Sequence, residues 1–312
     1  MQVHRNIDDL PVFRNAVVTI GTFDGVHLGH QRIIRQLKEE SIACGGESVI
    51  VTFHPHPRKV VKAGQQVVSL LNTLEEKIEL LEAHGVDHLV VVPFTDKFSQ
   101  LSAAEYVEQF LVAKIHPHIL IIGYDHHFGN DRKGNYRLLE ALGPVHGFQV
   151  KEIPEQVINS LTVSSTNIRK ALLAGKLKEA NENLGYPYMI SGEVVRGDQR
   201  GRTIGFPTAN IDLNNTEKCI PSNGVYAVRV NVGGDKQLYN GMMNIGVRPT
   251  VDGSKRVLEV NLFEFTKEIY GEPIRVWLYY YVREEIKFGS LADLQQQISM
   301  DKEKISDLLT MT

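Results

Sequence analysis

The chain has 312 residues, which is long for one ordinary domain and comfortable for two. Hydrophobic residues make up 42% of it and charged residues 23%, so a largely disordered chain is excluded. The formal net charge is −3 and no run of basic residues stands out, so we expect no nucleic acid as a partner.

The cysteines and the N-terminal residues bear on the location. Cys44 and Cys219 lie far apart in sequence, which favours a reducing compartment over a disulfide framework. The first residues lack the charged-then-apolar order of a signal peptide, and the longest apolar runs are too short to cross a bilayer. We therefore expect a cytoplasmic protein without a membrane partner.

The first half of the chain alternates apolar, β-branched runs with helical stretches. The runs that are typical of buried parallel strands are residues 16–20, 48–53, 88–93, 119–122 and 148–153. Two helices open with the capping-box pattern, at Thr73 with Glu76 and at Ser102 with Glu105. This order predicts an α/β domain with a doubly wound parallel sheet, which binds ligands at the carboxyl ends of its strands.

The second half changes to a period of two. Its alternating segments, separated by turn residues, are 188–195, 224–232, 241–245, 257–265 and 274–282. They predict a small antiparallel barrel, followed by an amphipathic helix with Ser290 as its N-cap. We therefore expect two domains, residues 1–184 and 185–312. All 12 histidines lie in the first, so a base in the second would be a carboxylate, Lys or Tyr.

The first predicted strand runs into a glycine-rich turn and then a helix. Gly21 and Gly25 let the backbone approach a ligand closely, and the helix start offers free N–H groups to phosphate. His27 and His30 are three apart, so both rings would share one helix face. There they can donate hydrogen bonds to charge that builds on a transferring phosphoryl group. The alternative is a glycine-rich turn with two incidental surface histidines.

The His-x-Gly-His pattern at this position resembles the nucleotidyltransferase superfamily, which has a Rossmann-like sheet. The wider stretch 21–30 is similar to the bacterial bifunctional riboflavin kinase/FAD synthetase family, as are residues 52–57, 123–129 and 164–169. The resemblance implies that His27 and His30 are catalytic. The nucleotide contacts that it implies are Gly21, Phe23, Asp24, Gly25, Asp125, Ser164, Ser165, Thr166 and Arg169.

Within the last of these segments, hydroxyl groups can cap a helix while the Arg169 guanidinium reaches phosphate as a bidentate partner. The alternative there is a simple helix cap. His126 and His127 stand where the family commonly has Phe and Arg.

The informative stretch of the second half is residues 201–210. A glycine-punctuated loop can fold over phosphates, and residues two apart on a strand point the same way, so Thr208 and Asn210 could reach one Mg²⁺. The alternative is a turn followed by an edge strand. The Pro-Thr-Ala-Asn sequence resembles riboflavin kinase, which is a six-stranded barrel. That resemblance implies phosphate contacts from Gly201, Arg202 and Thr203.

A carboxylate must act as the base of this second domain if it phosphorylates an alcohol. Glu259 lies in an alternating segment and faces the same way as Asn261, where many relatives carry His. The resemblance implies that Glu259 takes the proton from the ribityl 5′-hydroxyl. The other candidates are Glu264, Glu268, Glu284 and Glu285.

The resemblance covers about residues 17–309 and implies a two-step flavin enzyme. The barrel would convert riboflavin and ATP to FMN, and the first domain would convert FMN and a second ATP to FAD and pyrophosphate, with Mg²⁺ screening the phosphates. The rival hypothesis is a monofunctional adenylyltransferase whose barrel only binds flavin. The set of Thr208, Asn210 and Glu259 argues against the rival.

Overall fold

The computed structural model describes residues 1–61, 69–123, 126–130, 132–153, 163–197, 200–213, 217–235, 237–250 and 253–311. By its contacts the chain divides into two compact units, Met1–Ser165 and Thr166–Thr312. Among the described residues, no helix combines the length and the apolar character that crossing a bilayer requires.

A parallel sheet forms the centre of the first unit. Its strands are β1 Gln2–His4, β2 Val17–Ile20, β3 Ser48–His54, β4 His88–Pro93, β5 Ile119–Gly123 and β6 Gln149–Ile153. They pair in parallel in the order β1-β4-β3-β2-β5-β6. The sheet grows outward from β2 to β4 and then restarts on the other side with β5. The carboxyl ends of β2 and β5 are therefore its topological switch point, where such sheets bind ligands.

Helices cover both faces of this sheet. They are α1 Leu28–Ala43, α2 Pro57–Val61, α3 Leu74–Ala83, α4 Asp96–Ser99, α5 Ala103–Glu105, a π-helix Tyr106–Ile115 and α6 Tyr136–His146. Neighbouring residues of one strand belong to different cores: Val17 packs with Leu37 of α1, and Val18 packs with Phe110 of the π-helix. The predicted doubly wound arrangement is confirmed.

The second unit contains a closed antiparallel barrel. Its strands are β7 Tyr188–Val195, β8 Ala209–Asp212, β9 Gly224–Val232, β10 Tyr239–Thr250, β11 Gly253–Leu262 and β12 Pro273–Arg283. The barrel closes in the order β10-β11-β8-β7-β12-β9. The helices are α7 Ser165–Leu173, α8 Leu177–Leu184, α9 Arg200–Thr203 and α10 Leu291–Thr310. The predicted barrel with a C-terminal helix is confirmed, and Ser290 is the N-cap of α10.

Helix α8 is hydrogen-bonded to the barrel, although the sequence analysis assigned it to the first domain. The Asn181 amide donates to the Leu278 carbonyl at 2.9 Å and accepts from the Tyr188 N–H at 2.8 Å. The compact units therefore divide nearer the N-terminus than residues 184 and 185.

Candidate active sites

The glycine-rich turn between β2 and α1 lies at the switch point of the sheet. Three of its residues have left-handed backbone angles: Phe23 (φ 46°), Gly25 (φ 87°) and Val26 (φ 34°). A positive φ at a β-branched residue is a genuine outlier, and such strain persists only where the surroundings hold it.

Hydrogen bonds hold this turn from several sides. The Asp24 side chain is 2% exposed, and its Oδ1 accepts from the N–H groups of Leu71 at 2.8 Å and Asn72 at 3.4 Å. The Ser165 hydroxyl donates to the Asp24 carbonyl at 2.9 Å. The Gln31 side chain donates to the Val26 carbonyl at 2.9 Å. Asp24 and Ser165, both predicted to contact nucleotide, thus shape the turn itself.

The two histidines of the turn stand together, as predicted. His27 is the N-cap of α1, and its Nδ1 accepts from the His30 N–H at 3.4 Å. Their rings stack with centroids 3.7 Å apart. Burial lowers the pKa of His30 well below its ordinary value, and the nearby His27 and Lys77 lower it further. His30 is therefore neutral at pH 7, with one ring nitrogen that donates and one that accepts.

Lys77 is a site residue that the sequence analysis did not identify. Its side chain belongs to α3, and its Nζ donates to the Thr22 carbonyl at 2.6 Å and lies 3.5 Å from the Thr52 hydroxyl. Burial lowers its pKa to about 8, while the Asp24 carboxylate acts in the opposite direction. The sequence did carry a signal for it. Lys77 follows Leu74 by three residues and precedes Leu81 by four, so a charged side chain lies on the apolar face of the helix.

A cavity of about 560 Å³, here called the sheet cavity, opens beside the turn. Gly21 and Thr22 form part of its wall, and His126 and His127 line it as well. Its aromatic lining consists of Phe53, Phe94, Phe98, Tyr106 and Phe128. The cavity is thus largely apolar and aromatic, with polar groups where it meets the glycine-rich turn, as is typical of a site for a planar ligand.

The other residues of the first predicted site differ in position and burial. Asp125 lies outside the described residues. Ser164 is half-buried and precedes α7, whereas Thr166 is exposed and Arg169 half-buried on α7 itself.

A second cavity, of about 510 Å³, lies between the barrel and α10 and is here called the barrel cavity. Glu259, Thr208 and Asn261 supply polar groups to its wall. Its apolar lining includes Ile204, Phe206, Met242, Leu294 and Ile298. A carboxylate and a hydroxyl therefore face a mostly apolar space, wide enough for a ring system.

Strand register sets the surroundings of Glu259. The residue pairs with Asn210 of β8 on one side and with Asn244 of β10 on the other. Residues directly opposite each other in a sheet present their side chains on the same face, so a carboxylate is flanked by two amides. Asn210 is not part of the cavity lining; its amide packs against Gly197.

The loop before β8 folds tightly on itself, so that the backbone of Gly201 lies close to that of Phe206. A Cβ at Gly201 would collide with the Phe206 carbonyl, while the Phe206 N–H donates to the Gly201 carbonyl at 2.9 Å. Asn261 Nδ2 donates to the Pro207 carbonyl at 2.6 Å, so Asn261 joins the loop to β11. Thr208 immediately precedes β8, and Asn210 is its second residue.

A third cavity, of about 430 Å³, lies beside the same loop and is called the loop cavity. Its lining includes Arg202, Lys267 and Tyr270. Thr208 lines both the barrel cavity and the loop cavity. The backbone of Thr203 belongs to α9, and its side chain lies outside the described residues.

The remaining candidate bases differ in which cavity they line. Glu285 lines the barrel cavity together with Glu259, and Glu268 lines the loop cavity. Glu264 and Glu284 line neither of these two cavities. Of the five candidate bases, Glu259 and Glu285 are thus the two that line the barrel cavity.

An ion pair that the sequence analysis missed joins α10 to the barrel. The Arg283 guanidinium contacts Asp301 Oδ2 through Nε at 2.9 Å and through Nη2 at 2.7 Å. Asp301 is 3% exposed, and Gln297 donates to its other oxygen at 3.0 Å. Both members of the pair line the barrel cavity, so the helix and the cavity wall are fixed together.

Comparison with known proteins gives two family matches and several relatives. The FAD synthetase family matches residues 10–167, and the riboflavin kinase family matches residues 184–309. The bifunctional riboflavin kinase/FMN adenylyltransferase of Listeria monocytogenes is 41% identical over 93% of this chain and 91% of its own length. The protein of the same name from Haemophilus influenzae is 40% identical over 94% of each chain. The one from Escherichia coli K12 is 39% identical over 92% of this chain and 90% of its own.

A solved structure is similar along the whole chain. It is a crystal structure from Streptococcus pneumoniae titled as a macrolide-efflux protein, with a TM-score of 0.83, 32% identity and coverage of 97% of both chains. Two family matches, and relatives named for both activities, favour two activities over a monofunctional adenylyltransferase. The chain therefore belongs to the bifunctional riboflavin kinase/FMN adenylyltransferase family, phosphorylating riboflavin to FMN and adenylylating FMN to FAD.

Proposed function

We propose that Glu259 is the base of the kinase reaction and that His27 and His30 stabilise the transferred group in the adenylyltransferase reaction. We also propose that the two activities divide between residues 1–184 and residues 185–312. The observation that carries the kinase assignment is that Glu259 and Thr208 line one mostly apolar cavity.

In the kinase reaction, the riboflavin ring would lie against the apolar wall of the barrel cavity with its ribityl chain toward Glu259. The carboxylate takes the proton of the 5′-hydroxyl, and the oxygen bonds to the γ-phosphorus of ATP. The bond from that phosphorus to the bridging oxygen breaks, which leaves FMN and ADP. Positioning and charge stabilisation supply most of the rate in such transfers, so a single base suffices.

The nucleotide of the kinase reaction would occupy the loop cavity. Arg202 and Lys267 supply positive charge there, and the Tyr270 ring offers an apolar face. Because Thr208 lines both cavities, the γ-phosphate would meet the riboflavin hydroxyl beside that residue. Gly201, Arg202 and Thr203 remain the proposed phosphate contacts.

The residues near Glu259 suit Mg²⁺. Thr208 offers a hydroxyl and Asn210 an amide oxygen, and both are near Glu259, the first by the shared cavity and the second by strand pairing. Hard cations prefer such oxygen donors, and Mg²⁺ keeps several waters and the substrate phosphates as its other ligands. When bound, the ion would screen the phosphate charge. The described residues contain no group of three or more His, Cys, Asp or Glu suited to a metal.

In the adenylyltransferase reaction, a phosphate oxygen of FMN bonds to the α-phosphorus of ATP. The bond between that phosphorus and the oxygen leading to the β-phosphorus breaks, and pyrophosphate leaves. His27 and His30, placed at the N-terminus of α1, donate hydrogen bonds to the charge on the transferred group. The aromatic sheet cavity would hold the flavin ring. Ser164, Ser165, Thr166 and Arg169 remain proposed phosphate contacts.

We propose that the protein acts in the cytoplasm on small molecules alone. Cys44 and Cys219 are not joined in a disulfide, which agrees with a reducing compartment.

The test is an assay of the full chain with riboflavin, ATP and Mg²⁺, followed by chromatography of FMN and FAD. We expect Glu259→Gln to lower FMN formation by about 10²-fold, the usual scale for a general base, while FAD synthesis from supplied FMN continues. Glu264→Gln, an exposed change just beyond β11, is the matched control and should leave both rates unchanged. If Glu285→Gln abolishes turnover and Glu259→Gln does not, the base is Glu285 and the assignment is wrong.

A further inference from the structure

Residues 71–77 form hydrogen bonds to the glycine-rich turn at two separate points. The N–H groups of Leu71 and Asn72 donate to the Asp24 carboxylate. One helical turn later in the same segment, Lys77 Nζ donates to the Thr22 carbonyl at 2.6 Å. The turn therefore cannot move away from the start of α3 without breaking these bonds.

A lysine is a costly residue at this position. Lys77 is only 7% exposed, and removing an ammonium group from water is unfavourable unless it is paired. It follows Leu74 by three residues and precedes Leu81 by four, both of them buried. A methionine of similar reach would fill the same space without the cost of burying a charge. Packing alone therefore does not account for the lysine.

The part of the turn that Lys77 holds is next to strained backbone. Thr22 immediately precedes Phe23, whose φ is 46°, and Val26 has φ 34° just before His27. The strain positions the stacked histidines at the N-terminus of α1. A group that fixes the Thr22 carbonyl from the neighbouring helix therefore bears on where those rings stand.

We propose that Lys77 is a positioning residue of the adenylyltransferase reaction: its charged ammonium fixes the Thr22 carbonyl and so keeps His27 and His30 in their working arrangement. This rests on the role proposed above for the two histidines. The charged or titratable groups facing Lys77 are Asp24, which favours its charged form, and His30 and His54. Burial lowers the pKa of both histidines most, and the Lys77 charge lowers it further.

The proposal gives the adenylyltransferase reaction a specific pH dependence. The pKa of Lys77 is lowered to about 8, chiefly by burial. Above that pH the ammonium becomes an amine, which is a weaker donor to the Thr22 carbonyl. FAD synthesis should therefore fall as the pH rises through about 8. Arginine stays charged throughout this range, so Lys77→Arg should carry the alkaline decline to much higher pH.

The test measures kcat and KM for FAD formation from supplied FMN between pH 6 and 10, in the full chain. We expect Lys77→Met to lower kcat by about 10²-fold, the scale for a small misplacement of catalytic groups, and to abolish the decline near pH 8. Lys77→Arg should retain more activity than Lys77→Met and move the decline upward. The matched control is Lys38→Met, since Lys38 Nζ also donates to a backbone carbonyl of this unit, that of His84 at 3.2 Å.

Two results would overturn the inference. One is a Lys77→Met enzyme with normal kcat; the other is a Lys77→Arg enzyme that is active but still declines near pH 8. The variant His30→Ala separates this failure from failure of the proposed function. If His30→Ala makes FAD normally, the roles of the histidines are wrong; if it is inactive while Lys77→Met is normal, only the role of Lys77 is wrong.

Discussion

Glu259 and Asn210 face each other across the antiparallel pair of β11 and β8. Because opposite residues share one face of the sheet, the proposed base and a proposed metal ligand are held at a fixed spacing by the barrel itself. No loop motion is needed to bring them together.

This pairing predicts the outcome of changing Asn210. Asn210→Ala removes the amide oxygen, so kinase turnover at limiting Mg²⁺ should fall by about 10-fold or more, while Asn210→Asp keeps an oxygen ligand and should be less affected. The measurement is the initial rate of FMN formation against Mg²⁺ concentration. Equal Mg²⁺ requirements in the Ala variant and the unchanged protein would remove Asn210 from the metal site.

Thr208 allows a sharper comparison. Thr208→Val keeps the shape but loses the hydroxyl, whereas Thr208→Ser keeps the hydroxyl. We expect the Val variant to need more Mg²⁺ and ATP for riboflavin phosphorylation and the Ser variant to resemble the unchanged protein. Adenylylation of supplied FMN serves as the internal control, because the residues proposed to act in it do not include Thr208. A Ser variant as impaired as the Val variant would mean that packing, and not metal or phosphate binding, explains the effect.

The stacked histidines predict a selective loss. His27→Ala or His30→Ala should lower FAD synthesis by roughly 10²-fold or more, because a hydrogen-bond donor to the transition state is lost. FMN formation in the same preparation should be unchanged. Product chromatography measures both rates at once, and an equal loss of both activities would indicate a folding defect instead of a catalytic role.

The pKa of His30 can be followed directly. Burial, His27 and Lys77 all lower it, so the ring should remain neutral as the pH falls through 6.5, where an ordinary histidine gains a proton. Removing one positive neighbour with Lys77→Met should raise this pKa, so protonation should begin at higher pH. The measurement is an NMR titration of the ring nitrogens, with the His30 signals assigned by their loss in His30→Gln. An ordinary titration near 6.5 would contradict the buried setting.

The ion pair between Arg283 and Asp301 predicts a stability effect. Asp301→Asn leaves the Arg283 charge without its partner in a mostly buried place, which typically costs about 3 kcal/mol or more. Trp277 is the sole tryptophan of the chain and lies in β12, so its fluorescence during denaturant unfolding reports on the barrel. Riboflavin binding should weaken as well. The control is Asp307→Asn, an exposed change on the same helix, and matching midpoints for the two variants would contradict the prediction.

Local patterns in the sequence anticipated most of the fold. The strand His88–Pro93 and the barrel strands Tyr188–Val195 and Gly224–Val232 have the predicted bounds, because buried apolar runs and strict alternation are strong signals. Both predicted capping boxes form, at Thr73 and Ser102. The strand Gln2–His4 was not predicted, since three residues are too few to show a period.

The site was harder to predict than the fold, for a physical reason. His27 and His30 are neighbours in sequence, so spacing on one helix brings them together. Lys77 reaches Thr22 from a separate helix, and Arg283 reaches Asp301 from a strand, and no local pattern reports such contacts. Thr208 lies one residue before β8, so the shared use of Thr208 and Asn210 as metal ligands stays a prediction.

Thr208 lines both the barrel cavity and the loop cavity, so a ligand in one cavity can affect the binding of a ligand in the other. If a nucleotide in the loop cavity fixes the position of Thr208, flavin then binds to a site that is already ordered. The same holds when flavin binds first. Thermodynamic reciprocity requires that ADP change the affinity for FMN by the same factor by which FMN changes the affinity for ADP. Release of the two products from the barrel would then be coupled, since the departure of one product alters how tightly the other is held.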